Sequence, residues 1–184
     1  KYGLLYNWRA ATNDMKTGII SNEGESTITG SVQNTPVSSI EEKGVQGLCP
    51  HGWHLPSDKE WNILEKIISE SPTLYSTNSV TIAWKPSWNL VSGSFRGDQQ
   101  GSSMISPEAI GSSTGGLSKT DGKGFNNSAV SYGNFGFFWS SSAASTTNAW
   151  SRTFVAYSAQ NYRGVSRNHR PVEYLYNIRC KKDD

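Results

Sequence analysis

The sequence predicts a single β-rich domain of an extracellular type, with one long helix. Three observations lead to this prediction. The 184 residues are enough for one sizeable hydrophobic core. The composition is 11% aromatic but only 17% charged, with 18 glycines, which is typical of β-rich folds whose large rings pack between loops. Clear helical periodicity occurs in one segment only, which begins at Ser57.

The first quarter of the chain predicts a short strand followed by loops. The aromatic and aliphatic run 2–8 favours an opening strand. Residues 12–47 are polar and contain repeated Gly, Asn-Asp and Pro turn signals, so we expect loops and short hairpins there.

The helix is predicted to begin after Ser57. Ser57 and Glu60 form an S-x-x-E capping box, in which each side chain satisfies a backbone N–H of the other. Asp58 and Glu60 also suit the positive end of the helix dipole. Four apolar residues recur at helical spacing and predict the face that packs on the core: Trp61, Leu64, Ile67 and Ile68. Ser71 and Pro72 predict the end of the helix.

Beyond Tyr75 the chain predicts strands and loops. Short apolar segments such as 135–139 alternate with Gly, Ser and Asn and favour strands. The segment 93–124 is poor in large apolar residues and predicts a long ordered loop. The closing segment 174–180 predicts a strand that is buried on at least one face.

Cys49 and Cys180 lie far apart and favour a disulfide. Their spacing excludes a C-x-x-C redox motif, and two cysteines with three histidines make no recognised zinc pattern. Two structural thiols remain the alternative. Disulfides persist outside the cytosol, and residues 1–184 contain neither a signal peptide nor a membrane span. We therefore expect one domain, 1–184, of a longer exported protein at the outer cell surface or in the extracellular space.

Several motifs together resemble the Fibrobacter succinogenes major paralogous domain family. In chain order they are LYNW (5–8), GLCPHGWHLPSDKEW (47–61), FWSSS (138–142), AWSR (149–152) and IRCKKD (178–183). That family is similar to the C-type-lectin-like and formylglycine-generating-enzyme folds. The resemblance implies an α+β domain with a twisted antiparallel sheet, one or two packed helices and long loops. It also implies a disulfide from the first helix to the last strand.

The same resemblance raises the question of catalysis. The run 55–61 is similar to a segment of the formylglycine-generating enzymes, which bind copper through two cysteines late in the domain. Here Cys180 alone lies late, and a bridge would use it. His51, His54 and His169 do not match the histidine cluster of the related iron-dependent enzymes, and we expect the first two to be structural or loop residues. With no hydrolase, phosphate-loop or metalloprotease motif either, we expect no catalytic residues and no cofactor.

Calcium is a further candidate, since many lectins hold sugars through it. Calcium needs several clustered oxygen ligands. The long loop offers Asp98, Glu108, Asp121, Asn126 and Asn127. There is no lectin-type Glu-Pro-Asn motif, and Trp88-Asn89 lacks the Asp of the other lectin signature. We therefore expect solvated loop residues and no metal site.

The segment 140–176 is the candidate ligand-binding surface. It combines Arg and Tyr with Ser, Thr, Asn and Gly, and Glu173 is its single acid. This composition is that of antibody-like binding surfaces, and Arg suits carboxylates, phosphates and aromatic faces. The predicted contact residues are Arg152, Tyr157, Asn161, Tyr162, Arg163, Arg167, His169 and Arg170. The alternative is that these are the solvent-facing positions of antiparallel strands. Trp139 and Trp150 are expected in the core.

These features predict a non-catalytic, adhesion-type recognition domain of a bacterial cell-surface protein such as a lipoprotein, with a protein or glycan ligand. A structural module of a larger envelope or pilus protein is the alternative, and an enzyme related to the formylglycine-generating group is the third candidate. A net charge of +2 without a basic run does not favour a nucleic-acid partner. Some members of the similar folds are targets of diversity-generating retroelements, which implies the hypothesis that residues 143–172 vary between strains.

Overall fold

The structure is a computed structural model that describes residues 4–13, 45–71, 74, 83–89, 92–93, 95–97, 100–104, 135–155 and 164–184. Among the predicted contact residues, Tyr157, Asn161, Tyr162 and Arg163 lie outside this part, as do the calcium candidates Asp98, Glu108, Asp121, Asn126 and Asn127. No helix within the described ranges is long and apolar enough to cross a membrane.

The described helices and strands follow one another along the chain. They are α1 (Trp8–Ala11), β1 (Trp53–His54), α2 (Asp58–Glu70), a 3-10 helix (Pro86–Asn89), β2 (Phe95–Arg96), α3 (Gln100–Met104), β3 (Phe135–Ala143), β4 (Asn148–Val155), β5 (Val165–Pro171) and β6 (Lys181–Lys182). Part of the predicted loop 93–124 therefore forms β2 and α3.

The strands form two antiparallel sheets. The larger sheet has the order β2-β5-β4-β3, and the smaller one pairs β1 with β6. Helices packed with antiparallel sheets confirm the α+β class, whereas the C-type-lectin-like architecture stays a prediction. In the large sheet Arg152 lies between Phe138 and Arg167 on the neighbouring strands. The register thus places two arginine side chains next to each other on one face of the sheet.

Helix α2 begins and ends where the sequence predicts. The Ser57 hydroxyl accepts from the Glu60 N–H at 3.1 Å, and Glu60 Oε2 accepts from the Ser57 N–H at 2.9 Å. The helix ends at Glu70 with Ser71 as its C-cap. The capping box is confirmed, and it fixes the direction in which the chain leaves β1.

The buried face of α2 differs from the predicted one. Trp61 and Ile68 are buried, but Leu64 and Ile67 are 43% and 44% exposed, so the prediction is wrong for these two residues. Their place on the inner face is taken by polar residues that recur every three or four positions: Asp58, Asn62, Glu65 and Ser69. That spacing places them on one side of the helix. Burying them requires polar partners from the sheet.

Both faces of the large sheet are covered. On the face that α2 covers, Trp61 and Ile68 of the helix pack with Met104, Phe138, Phe154 and Val165. On the opposite side lie Ala11, Cys49, Leu55, Trp139, Ala149, Val172 and Tyr176. Adjacent strand residues point to opposite faces, which is why neighbouring residues of β3 enter different clusters. Trp139 and Trp150 are buried, which confirms their assignment to the core.

A disulfide joins Cys49 to Cys180, with the Cα atoms 5.7 Å apart, and confirms the predicted bridge. It ties the turn before β1 to the segment that leads into β6. Gly47 starts that turn at φ +53°, and a Cβ atom there would lie 2.2 Å from the Ala11 carbonyl oxygen, so a larger residue does not fit.

The two predicted terminal strands are shorter than expected. Tyr6 and Tyr176 form one isolated antiparallel bridge, and α1 already begins at Trp8. Asn177 makes a second single bridge to Phe138, and the paired strand starts only at Lys181. The described aromatic residues of both segments pack into the core behind the sheet instead of extending a ladder: Tyr6, Trp8, Tyr174 and Tyr176.

Candidate functional site

Two of the predicted contact residues are buried ion-pair partners. Arg152 and Arg167 are both 0% exposed. Arg152 donates from Nη1 to Asp58 at 2.5 Å and from Nε to Glu65 at 2.7 Å. Arg167 donates from Nε and Nη2 to Asp58 Oδ2 at 2.8 and 2.6 Å. Their assignment to a ligand-contacting surface is therefore wrong, because every contact described here is made inside the domain.

A third arginine completes this cluster. Arg96 donates to both Glu65 oxygens, at 2.9 and 2.6 Å, and to the Trp88 carbonyl oxygen at 2.6 Å. The Asn62 side-chain oxygen accepts from Arg96 and Arg152. We call these residues the buried charge network: Asp58, Asn62, Glu65, Arg96, Arg152 and Arg167.

Asp58 and Arg152 form an ionised pair within the network. Burial acts to raise the pKa of the Asp58 carboxyl, but the charges of Arg152 and Arg167 outweigh burial and hold that pKa well below its usual range. Burial also acts to lower the pKa of Arg152, and here the carboxylates of Asp58 and Glu65 raise it above its ordinary value. The lowered pKa of Asp58 and the raised pKa of Arg152 both favour the charged form of the side chain. The network therefore fastens α2 to β2, β4 and β5.

His169 and Arg170 remain exposed at the end of β5. The His169 ring centroid lies 5.4 Å from that of Trp150. Partial burial, followed by the charges of Arg167 and Arg170, lowers the pKa of His169, so the ring is neutral at pH 7. Among the predicted contact residues that the structure describes, the exposed ones are thus His169 and Arg170.

A cleft of about 630 Å³ opens beside β1, where sequence reasoning placed no ligand. We call it the Trp53 cleft. Its walls come from the turn before β1, the first turns of α2 and the segment around β6. The lining residues are Gln46, His51, Gly52, Trp53, His54, Lys59, Glu60, Ile63, Lys181, Asp183 and Asp184. Trp53 and Ile63 supply exposed apolar surface, 39% and 37% of their areas.

Fixed charges form the floor of the cleft. His54 Nδ1 lies 2.5 Å from Asp183 Oδ1, and its Nε2 lies 2.9 Å from Glu60 Oε1. The Lys181 ammonium donates to the same Glu60 oxygen at 2.9 Å, and this hydrogen bond raises the pKa of Lys181. His54 is buried, while His51 is exposed at the rim. Each ring nitrogen of His54 therefore faces a carboxylate oxygen.

Backbone pairing and the disulfide hold this floor in place. Trp53 and His54 pair with Lys182 and Lys181 in the small sheet. The Asp183 N–H donates to the Gly52 carbonyl oxygen at 2.9 Å. Across the described ranges, no group of three His, Cys, Asp or Glu side chains is placed to hold a metal ion. The floor therefore presents paired donors and acceptors at fixed positions. A tryptophan between two histidines in a Gly turn was the signal in the sequence that could have located it.

One family comparison identifies the chain. The model of the Fibrobacter succinogenes major domain matches residues 1–182, almost the full length, and includes the lining of the Trp53 cleft up to Lys181. No curated protein and no solved structure matches the chain significantly. The chain therefore belongs to the Fibrobacter succinogenes major domain family.

Proposed function

We propose that the protein is a non-catalytic recognition domain of an exported bacterial surface protein and that it holds its ligand in the Trp53 cleft. The cleft itself is the observation that carries this proposal. Its volume of about 630 Å³ falls within the range of small-molecule sites, about 300–1,000 Å³. Its floor is held by ion pairs and a disulfide, so little ordering is required on binding.

The disulfide supports both export and the absence of catalysis. Disulfides persist in oxidising compartments, which fits a surface location. Both cysteine sulfurs of the chain are engaged in the bridge, so no thiol is available for copper binding of the kind found in formylglycine-generating enzymes. In the buried charge network, the carboxylates of Asp58 and Glu65 are paired with arginines.

The cleft is a better candidate than the C-terminal surface predicted from composition. Within 143–172, residues 149–154 of β4 and residues 165–168 of β5 are buried. The retroelement hypothesis is therefore compatible with variation at His169 and Arg170, but not at Arg152 or Arg167, and residues 156–163 lie outside the described ranges. Sequencing the locus in sibling strains tests it, and uniform residues throughout 143–172 would reject it.

A matched pair of variants tests the cleft as the ligand site. Ile63 lines the cleft and Leu64 does not, although the two are adjacent on α2 and 37% and 43% exposed. Ile63→Trp adds bulk to the cleft, whereas Leu64→Trp adds the same bulk outside it. On arrays of glycans and extracellular proteins, we expect Ile63→Trp to lose the binding that the parent and Leu64→Trp retain. Equal binding by all three proteins would place the ligand elsewhere, and a His169→Ala/Arg170→Ala double variant would then test the C-terminal surface.

A structural module of a larger envelope or pilus protein is the second candidate. It is favoured by Leu64 and Ile67, two exposed apolar residues three positions apart on α2. Neighbouring exposed apolar side chains are typical of contact surfaces between domains. If this surface packs against another domain of the parent protein, we expect Leu64→Ser/Ile67→Ser to weaken that contact and to increase protease cleavage between the domains. Unchanged cleavage would remove this candidate.

A further inference from the structure

We infer that the ligand of the Trp53 cleft is a neutral carbohydrate, with Trp53 as the surface on which a sugar ring stacks. This inference rests on the proposed function and adds the chemical class of the ligand. It follows from three properties of the cleft: its charge balance, its exposed aromatic ring and the fixed positions of its polar groups.

Charge balance excludes strong selection for an ion. Lys59 and Lys181 contribute two positive charges, and Glu60, Asp183 and Asp184 contribute three negative ones. The two signs nearly cancel, because these five side chains sum to a single negative charge. A cleft that is lined by charges of one sign concentrates ligands of the opposite sign. The Trp53 cleft is lined by charges of both signs, so it does not concentrate ions in this way. A neutral ligand therefore fits best.

The ligand must also satisfy apolar and polar surfaces side by side. Trp53 is 39% exposed, a large ring to leave in water, and Ile63 lies in the same cleft. Next to them are ammonium donors and carboxylate acceptors. A sugar ring has a C–H face that packs on an aromatic ring and a rim of hydroxyl groups. Each hydroxyl donates to a carboxylate and accepts from an ammonium group.

The polar groups are held before the ligand arrives. Glu60 is fixed by the Ser57 N–H, by His54 and by Lys181, and Asp183 is fixed by His54. Prearranged acceptors suit hydroxyl groups, because little of the binding free energy is lost in ordering the site. A protein ligand of standard size would bury about 800 Å² per partner on a broad, flat surface, which this confined cleft does not offer.

The test is calorimetric titration with neutral oligosaccharides of glucose, mannose, xylose and N-acetylglucosamine, and with polygalacturonate as an acidic contrast. The variants are Trp53→Ala, Trp53→Phe and, as a control of similar exposure outside the cleft, Leu64→Ala. The backbone of Trp53 carries the β1–β6 pairing, so circular dichroism of each variant verifies the fold.

We expect one neutral oligosaccharide series to bind, and Trp53→Ala to weaken it at least about tenfold, as for the central aromatic residue of a binding site. Trp53→Phe should recover part of the loss, and Leu64→Ala should bind as the parent does. Affinity should not change between low and high salt, because the ligand is uncharged.

The other outcomes overturn the inference in distinguishable ways. Binding of a sugar that is undiminished in Trp53→Ala places the sugar site elsewhere and leaves recognition intact. Salt-sensitive binding of polygalacturonate alone replaces the neutral ligand with an anion. A protein ligand lost in Trp53→Ala, with no sugar bound, rejects the carbohydrate and keeps the proposed function. No ligand of either kind rejects both.

Discussion

Replacing Asp58 with asparagine tests whether the buried charge network holds α2 on the sheet. The Asp58 side chain is fully buried and accepts hydrogen bonds from Arg152 and Arg167. Asparagine has nearly the same shape, but it leaves two guanidinium groups without their shared counter-charge. Removing one partner of a buried ion pair costs about 3–5 kcal/mol. The helix-dipole interaction of Asp58 accounts for only about 0.3–1 kcal/mol of this.

The assay is urea unfolding at pH 7, monitored by tryptophan fluorescence and circular dichroism with the disulfide intact. We expect Asp58→Asn to reduce the free energy of unfolding by about 3–5 kcal/mol and the Tm by about 6–20 °C. The control is Glu70→Gln, an exposed carboxylate on the same helix, which should change stability by less than about 0.5 kcal/mol.

A double variant separates the ion pair from general disruption. Because Asp58→Asn/Arg167→Met removes a charge from each side, it should cost less than the sum of the two single variants. Strict additivity, or a loss below about 1 kcal/mol for Asp58→Asn, would show that the network contributes little to holding the helix.

Three further predictions concern pH and the disulfide. The pKa of Asp58 is lower in the folded protein than its unfolded value of about 3.9, so its stabilisation is complete above about pH 4 and declines as pH falls further; acid unfolding should be less steep in Asp58→Asn. Burial raises the pKa of Tyr176 to about 12, so about 3 kcal/mol of stability, present below pH 10, should be lost as pH rises toward 12; Tyr176→Phe should not show that loss in alkaline urea titrations. The Cys49→Ala/Cys180→Ala variant opens a loop of 131 residues and should lose up to about 5 kcal/mol in urea, whereas unchanged stability would mean that the bridge is not structural.

Local signals predicted the frame of the domain well. The capping box at Ser57 and Glu60 is a short-range pattern, and it formed as expected. The disulfide between Cys49 and Cys180 could also be predicted from the sequence, because a chain with two cysteines allows one pairing within itself. Such features depend on residue type and spacing alone, so no knowledge of the tertiary structure was needed.

Long-range polar pairing could not be predicted in the same way. Hydrophobic periodicity placed Leu64 and Ile67 inside, but Asp58 and Glu65 occupy the inner face because Arg152 lies opposite them. The partners are separated by about ninety residues, 87 and 94 positions. The arginines look like surface residues in the sequence for the same reason. Polar residues at helical spacing from 58 to 69 were the one available hint.

The Trp53 cleft was missed because its walls meet only through tertiary structure. Trp53 precedes Lys181 by more than a hundred residues, and the small sheet and the disulfide bring the two segments together. In the sequence, the motif around Trp53 indicates family membership without indicating a cavity.

Chemical-shift mapping shows directly whether a ligand binds in the Trp53 cleft. The ¹⁵N-labelled protein is titrated with the neutral oligosaccharide that binds most tightly in the calorimetric series. We expect the largest shifts at the Trp53 indole N–H and at the amides of Gly52, Ile63 and Lys181, and no shift of the His169 and Arg170 signals. Shifts centred on His169 and Arg170, with an unchanged Trp53 indole signal, would contradict this expectation.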